Sequence, residues 1–198
     1  MEGRVKPGHD GGGDVDVSWR NAMTTPLVLT FVGRDRPGLV NAISERVAAA
    51  GGTWLESRLA HLAGEFAGIV LVAAPQERIV ALTKALHELE TAGLRVAVAA
   101  SDAPEAPQNA RLCALAIVGH ERPGIVRDVT QALTRLGINI EDFSSGVEAA
   151  PFTGAEMFRA EARLRLPDGL ALDELRKTLE RLAGEIMVDL TIGEGGDA

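Results

Sequence analysis

Cysteine is nearly absent. A single residue, Cys113, stands in a chain of 198, so no intramolecular disulfide can form. It lies in an apolar stretch, at the position that Leu27 fills in an earlier and similar segment. Buried free thiols behave as small hydrophobes, and that is the role expected here, ahead of a nucleophile. A reducing, cytoplasmic setting fits such a chain. Basic charge is also scarce: 20 Lys and Arg face 28 Asp and Glu, a net charge of −8. A sequence-independent grip on nucleic acid needs a basic face. Direct nucleic-acid binding is therefore not expected, although gene control through a protein partner stays open. Long apolar runs are missing too. Ala67–Ala74 is among the longest, far short of the roughly 20 residues that cross a bilayer, so no membrane partner is expected. The N-terminus lacks the basic-then-apolar order of a secretory signal.

Chemistry-bearing patterns are equally sparse. His9, His61, His87 and His120 are scattered without metal-ligand spacing, so no metal is expected. No phosphate-loop or dinucleotide glycine pattern is present. Gly11-Gly12-Gly13 has neither a preceding strand nor a following Lys-Ser/Thr, so no cofactor is expected. His120 beside Glu121 reads as a loop residue flanking a pocket. No catalytic set emerges, and the chain reads as a non-enzyme.

What is present is said twice. Val32-Gly33-Arg34-Asp35-Arg36-Pro37-Gly38-Leu39-Val40 returns as Val118-Gly119-His120-Glu121-Arg122-Pro123-Gly124-Ile125-Val126. Gly38 and Gly124 are 86 residues apart, and the offset holds to Gly51 and Gly137. A repeat of this length points to two similar modules. The chain divides into a tail (1–22), a first module (23–100), a Pro-bearing linker (101–110), a second module (111–193) and a short end (194–198). Met23 offers an alternative start.

Within each module the hydrophobic period alternates. Leu27–Val32 reads as a buried strand and Pro37–Ala50 as a helix carrying Leu39, Val40, Ile43, Val47 and Ala50 on one stripe. Proline in the first turn and Gly51 at the end are start and stop marks. Thr53–His61 and Glu65–Ala74 form a hairpin, Glu77–Thr91 a second helix, and Leu94–Ala99 a closing strand. The second half repeats this as strand Leu112–Val118, helix Pro123–Leu136, strands Ile138–Glu148 and Glu156–Leu166, helix Leu172–Ala183 and strand Ile186–Ile192. Pro75 and Pro167 are 92 apart, so about six residues were added between them, placed in the loop Ala149–Gly154, where length costs little. The order βαββαβ folds by right-handed crossovers into a four-stranded antiparallel sheet with both helices on one face, an α+β, ferredoxin-like architecture in each half. Strand two lies at an edge, a place for another copy to pair.

The turn after strand one leads into a helix start, where backbone N–H groups lack internal partners and the helix dipole welcomes an anion. Gly38 and Gly124 let a ligand approach the backbone, Arg36 and Arg122 add cations, and Asp35 and Glu121 add acids. One charge of each sign suits a zwitterion: a free amino acid offers carboxylate to the helix start and ammonium to the acid. The plainer alternative for Asp35 and Glu121 is helix capping.

With those residues in view, both halves resemble ACT domains, the βαββαβ modules that sense amino acids beside metabolic enzymes and regulators. In serine-regulated dehydrogenases of that family the turn reads His-x-Asn-x-Pro-Gly, and a later Gly-x-Asn-Ile follows the helix. Here Gly33 and Gly119 replace the histidine, and Asp35 and Glu121 the amide. The later asparagine is kept as Asn139, and Thr53 stands in its place in the first half. The resemblance implies ligand contacts from Asp35, Arg36, Pro37, Gly38, Leu39 and Thr53, and from Glu121, Arg122, Pro123, Gly124, Ile125 and Asn139. Two such modules alone are similar to the glycine cleavage system transcriptional repressor family, whose members are thought to bind a transcriptional activator rather than DNA. The expectation is an amino-acid-binding regulatory protein, with glycine or serine as ligand, a protein partner such as a transcriptional activator, and a homodimer. The alternatives are an acylphosphatase-like hydrolase using Arg34 or Arg36 with Asn41, or a ligand-free interaction module. Trp54 reads as an edge or interface residue close to the expected pocket, where its emission would report on binding or dimerisation.

Overall fold

A computed structural model describes residues 24–101, 111–150, 155–186 and 188–194. The expected tail and most of the expected linker lie outside the described residues. The chain forms two compact units, Met1–Pro104 and Glu105–Ala198.

The first unit runs β1 (Thr24–Arg34), α1 (Leu39–Ala49), β2 (Thr53–Leu62), β3 (Glu65–Pro75), α2 (Ile79–His87) and β4 (Leu94–Ala100). Short 3-10 turns at Gln76–Arg78 and Glu88–Ala92 flank α2 and complete the longer helix expected there. The second unit runs β5 (Arg111–His120), α3 (Ile125–Arg135), β6 (Asn139–Ala149), β7 (Glu156–Leu166), α4 (Leu172–Ile186) and β8 (Val188–Glu194). Each unit has one antiparallel sheet, ordered β2-β3-β1-β4 and β6-β7-β5-β8. The order follows from the two crossovers, and it leaves β2 and β6 at edges as expected.

Alternation along β1 buries Leu27, Leu29 and Phe31 against Leu39, Ile43 and Val47 of α1 and Leu82 and Leu86 of α2. The second core repeats the scheme with Cys113, Leu115 and Ile117 against Ile125, Val129 and Leu133 of α3 and Leu175 and Leu179 of α4. Each such side chain taken from water contributes about 1.5–3 kcal/mol. Cys113 is 1% exposed, as its place in the strand pattern requires. Burial pushes its thiol above the usual range, partly offset by Arg111, which suppresses the thiolate a nucleophile needs.

Two details differ from the expectation. Val40 and Val126 are 36% and 41% exposed. The stripe is set by Leu39, Ile43 and Val47, and one residue further turns about 100° away from it. The helices also begin later than expected: Pro37 and Pro123 precede α1 and α3, whose N-cap residues are Gly38 and Gly124. Other features repeat faithfully. β2 has a bulge between Trp54 and Glu56, and β6 has one between Ile140 and Asp142, at equivalent places. The pair Leu62↔Glu65 closes the first hairpin, and its counterpart Glu148↔Met157 encloses the added residues of the second. Of the loop expected at 149–154, residues 151–154 lie outside the described residues. Among the described residues no helix is long and apolar enough to cross a membrane.

Candidate functional site

In the first unit, Asp35 to Gly38 connect β1 to α1. The Asp35 N–H donates to the Gly64 carbonyl at 2.9 Å, tying the turn to the β2–β3 hairpin. Its carboxylate is half-exposed, with Oδ2 3.7 Å from His61 Nε2 at the end of β2. Gly38 has φ 94°, a left-handed conformation that glycine adopts without the Cβ penalty. A side chain at Gly38 would meet nothing within 4 Å, so the space over the turn is open. No side chain caps α1. The capping alternative for Asp35 therefore does not apply, and the open space lies at the N-cap residue of α1, where first-turn N–H groups lack intrahelical partners. Arg36 is not a free clamp: its Nη2 donates to the Ala92 carbonyl at 2.7 Å. Leu39 is buried in the core. Asn41 donates to Glu45 at 2.7 Å.

The second turn is built differently. The Glu121 N–H donates to the Glu156 carbonyl at 3.0 Å, and Gly124 again has a positive φ, 96°. Arg122 Nη2 meets Asp128 Oδ2 at 2.8 Å. Arg127 reaches Asp128 Oδ1 through Nε at 3.0 Å and Nη2 at 2.8 Å. Hydrogen bonds from Arg122 first, then Arg127, hold the Asp128 carboxyl below the usual carboxylate range. Here too no side chain caps the helix, so Glu121 is not a cap; Ile125 is buried. A concave surface of ≈ 550 Å³ beside this turn is lined by His120, Met157, Gly184 and Asp189.

The structure does not bring Thr53 or Asn139 to these turns. Thr53 pairs with Ala73, which pairs with Pro26 at the start of β1, whereas Asp35 follows the end of that strand. The eight steps of β2 from Thr53 to His61 span about 26 Å. Trp54 shares the Thr53 end and packs against the core, so it is not beside Asp35 in the same unit. Asn139 likewise pairs with Arg165 opposite Leu112, remote from Glu121. It donates to Glu141 Oε1 at 2.5 Å, and Glu141 also accepts from Arg165 at 2.6 Å. Burial alone raises the Glu141 pKa, but the bonds from Asn139 and Arg165 prevail and lower it.

Gly33 and Gly119 hold the place of the family's histidine, and packing explains them. A Cβ at Gly33 would lie 2.6 Å from the Gly93 carbonyl oxygen, and one at Gly119 would run into Val188 Cγ1. The residues the sequence reading missed are His61, Arg127 and Asp128. A signal was available for the last two, since Asn41 and Ala42 occupy their places 86 residues earlier.

Fold and turns together define a tandem of ferredoxin-like modules, each with an acidic turn at a helix head. ACT-domain profiles match residues 25–99 and 114–180. Among curated proteins, the chain is 29% identical over 178 residues to the phosphoserine phosphatase SerB2 of Mycobacterium tuberculosis, covering 86% of this chain and 41% of the phosphatase. It is 48% identical over 46 residues to the glycine cleavage system transcriptional repressor of Escherichia coli, covering 23% of this chain and 24% of the repressor. The chain thus spans less than half the length of these curated relatives. Among solved structures, a protein of unknown function from Galdieria sulphuraria superposes with a TM-score of 0.75 at 30% identity, covering 87% of this chain and 99% of the other. A structure described as a glycine cleavage system transcriptional repressor has the same fold, with a TM-score of 0.67 at 22% identity over 89% of this chain and all of the other. The chain belongs to the ACT-domain family and carries two ACT domains in tandem.

Proposed function

We propose that this protein is an amino-acid-responsive regulator that works through protein contacts, without catalysis of its own. The observation that carries the reading is the first turn. A half-exposed carboxylate, Asp35, stands beside an uncapped helix start with open space over Gly38. A free α-amino acid supplies the matching charges, with its ammonium on Asp35 and its carboxylate on the N–H groups of α1. The small open turn favours glycine or serine.

Thr53 also belongs to the proposed ligand set. Its distance from Asp35 in the same sheet means that one ligand can touch both only where two copies of the chain meet. The free edge of β2, with exposed Leu59 and Leu62, supports such self-association. The short match to the glycine cleavage repressor supports control of that pathway, the net charge of −8 favours acting through a protein such as a transcriptional activator over gripping DNA, and the buried thiol suits a cytoplasmic setting. An acylphosphatase-like activity has less support, because Arg36 and Asn41 are engaged elsewhere and Asp35 repels a phosphate.

Calorimetric titration of glycine and serine into the folded chain tests the proposal. Saturable heat at millimolar ligand or below is expected, and it should be lost in Asp35→Ala. A dimer indifferent to both amino acids would leave only the interaction-module reading.

A further inference from the structure

The two turns are alike in sequence and unlike in what occupies them. At the second, the Asp128 carboxylate already sits where α3 begins and takes three hydrogen bonds from Arg122 and Arg127. The Arg127 guanidinium folds over the turn, with Nη2 3.2 Å from where a Cβ on Gly124 would stand. At the first turn, Ala42 and Asn41 stand in place of Asp128 and Arg127, and the space over Gly38 is empty.

We propose that Asp128 is a built-in anion that closes the second turn, so that the protein binds its amino acid at the first turn alone. This rests on the amino-acid reading above and deepens it. An incoming α-carboxylate bound for the N–H groups of α3 would meet the Asp128 carboxylate, held at the helix head by Arg122 and Arg127, and the Arg127 guanidinium folded over Gly124. Charge-assisted, forked arginine contacts are the strong kind, and Asp128 is tethered in the helix itself, so it pays no association entropy that a free ligand must meet. Discrimination between the turns is thus achieved by blocking one of them. The second unit is then a structural partner, and the chain responds to one ligand rather than two.

The test counts ligands. Glycine and serine are titrated calorimetrically into the full chain, as wild type, Asp35→Ala, Asp128→Ala and Asp128→Asn. The expected results are one ligand per chain in the wild type, none in Asp35→Ala and two in the Asp128 variants, where the arginines are released. Asp128→Asn keeps the side-chain volume should Asp128→Ala fold poorly. Two ligands in the wild type, one that survives Asp35→Ala, or no gain in either folded Asp128 variant overturns the inference and leaves amino-acid sensing standing. Silence in every folded chain overturns the sensing reading instead. Closure of the turn is then judged by following the Asp128 carboxyl by NMR: titration below the usual carboxylate range upholds it, and ordinary titration overturns it.

Discussion

The Asp35 carboxylate lies 3.7 Å from the His61 imidazole, and the second unit has Val147 where the first has His61. The proposed ammonium-binding acid therefore has a resident neighbour that the ligand must share or displace. Replacing His61 by alanine removes a competitor from an exposed pair, which is worth about 0.2–1 kcal/mol at most. The affinity of the first turn for glycine should rise, by up to about five-fold on that scale. Calorimetry on His61→Ala checks this, and weaker binding would mean that His61 itself contacts the ligand.

Asp128 makes stability depend on acid. Its folded carboxyl is held below the usual range by Arg122 and Arg127. The unfolded chain takes up the proton first as pH falls. The stabilisation from Asp128 is therefore fully present above the ordinary carboxylate pKa of about 3.9 and drains away as pH drops through the lower folded value. Thermal unfolding of wild type and Asp128→Asn should differ at neutral pH, and the gap should narrow in acid. A gap of the same size at both ends would contradict the pairing.

Gly33 is a packing requirement. Gly33→Ala forces a methyl group against the Gly93 backbone oxygen, and overpacking of this kind costs typically 1–3 kcal/mol. Denaturant unfolding should show that loss. An unchanged midpoint would mean that the Gly93 turn yields freely and that a histidine could return to this place.

The exposed edge of β2 should govern self-association. Leu62 is 78% exposed and Leu59 39%, and a charge on an edge strand opposes pairing with another copy. The double variant Leu59→Lys/Leu62→Lys should sediment with a smaller apparent mass than the wild type. Equal masses would place the contact elsewhere.

Much of the fold was legible because each element repeats its period, and because Gly51 and Gly137 punctuate both copies at one offset. Helix starts were less so. Pro37 suits a first helical turn, yet the left-handed Gly38 forces the helix to begin after it. The turns were found from the repeat, but not their inequality, which lies where the repeat breaks at Asn41-Ala42 and Arg127-Asp128. The separation of Thr53 from Asp35 was out of reach of local pattern. It depends on strand register, and register places the two residues at opposite ends of one sheet.

The proposed amino acid sits at the head of α1, and a crystal grown with glycine or serine would reveal it there. Density is expected for one ligand over Gly38, with its ammonium hydrogen-bonded to Asp35 and its carboxylate on the α1 N–H groups. An empty first turn in a crystal whose protein binds the amino acid elsewhere would contradict it.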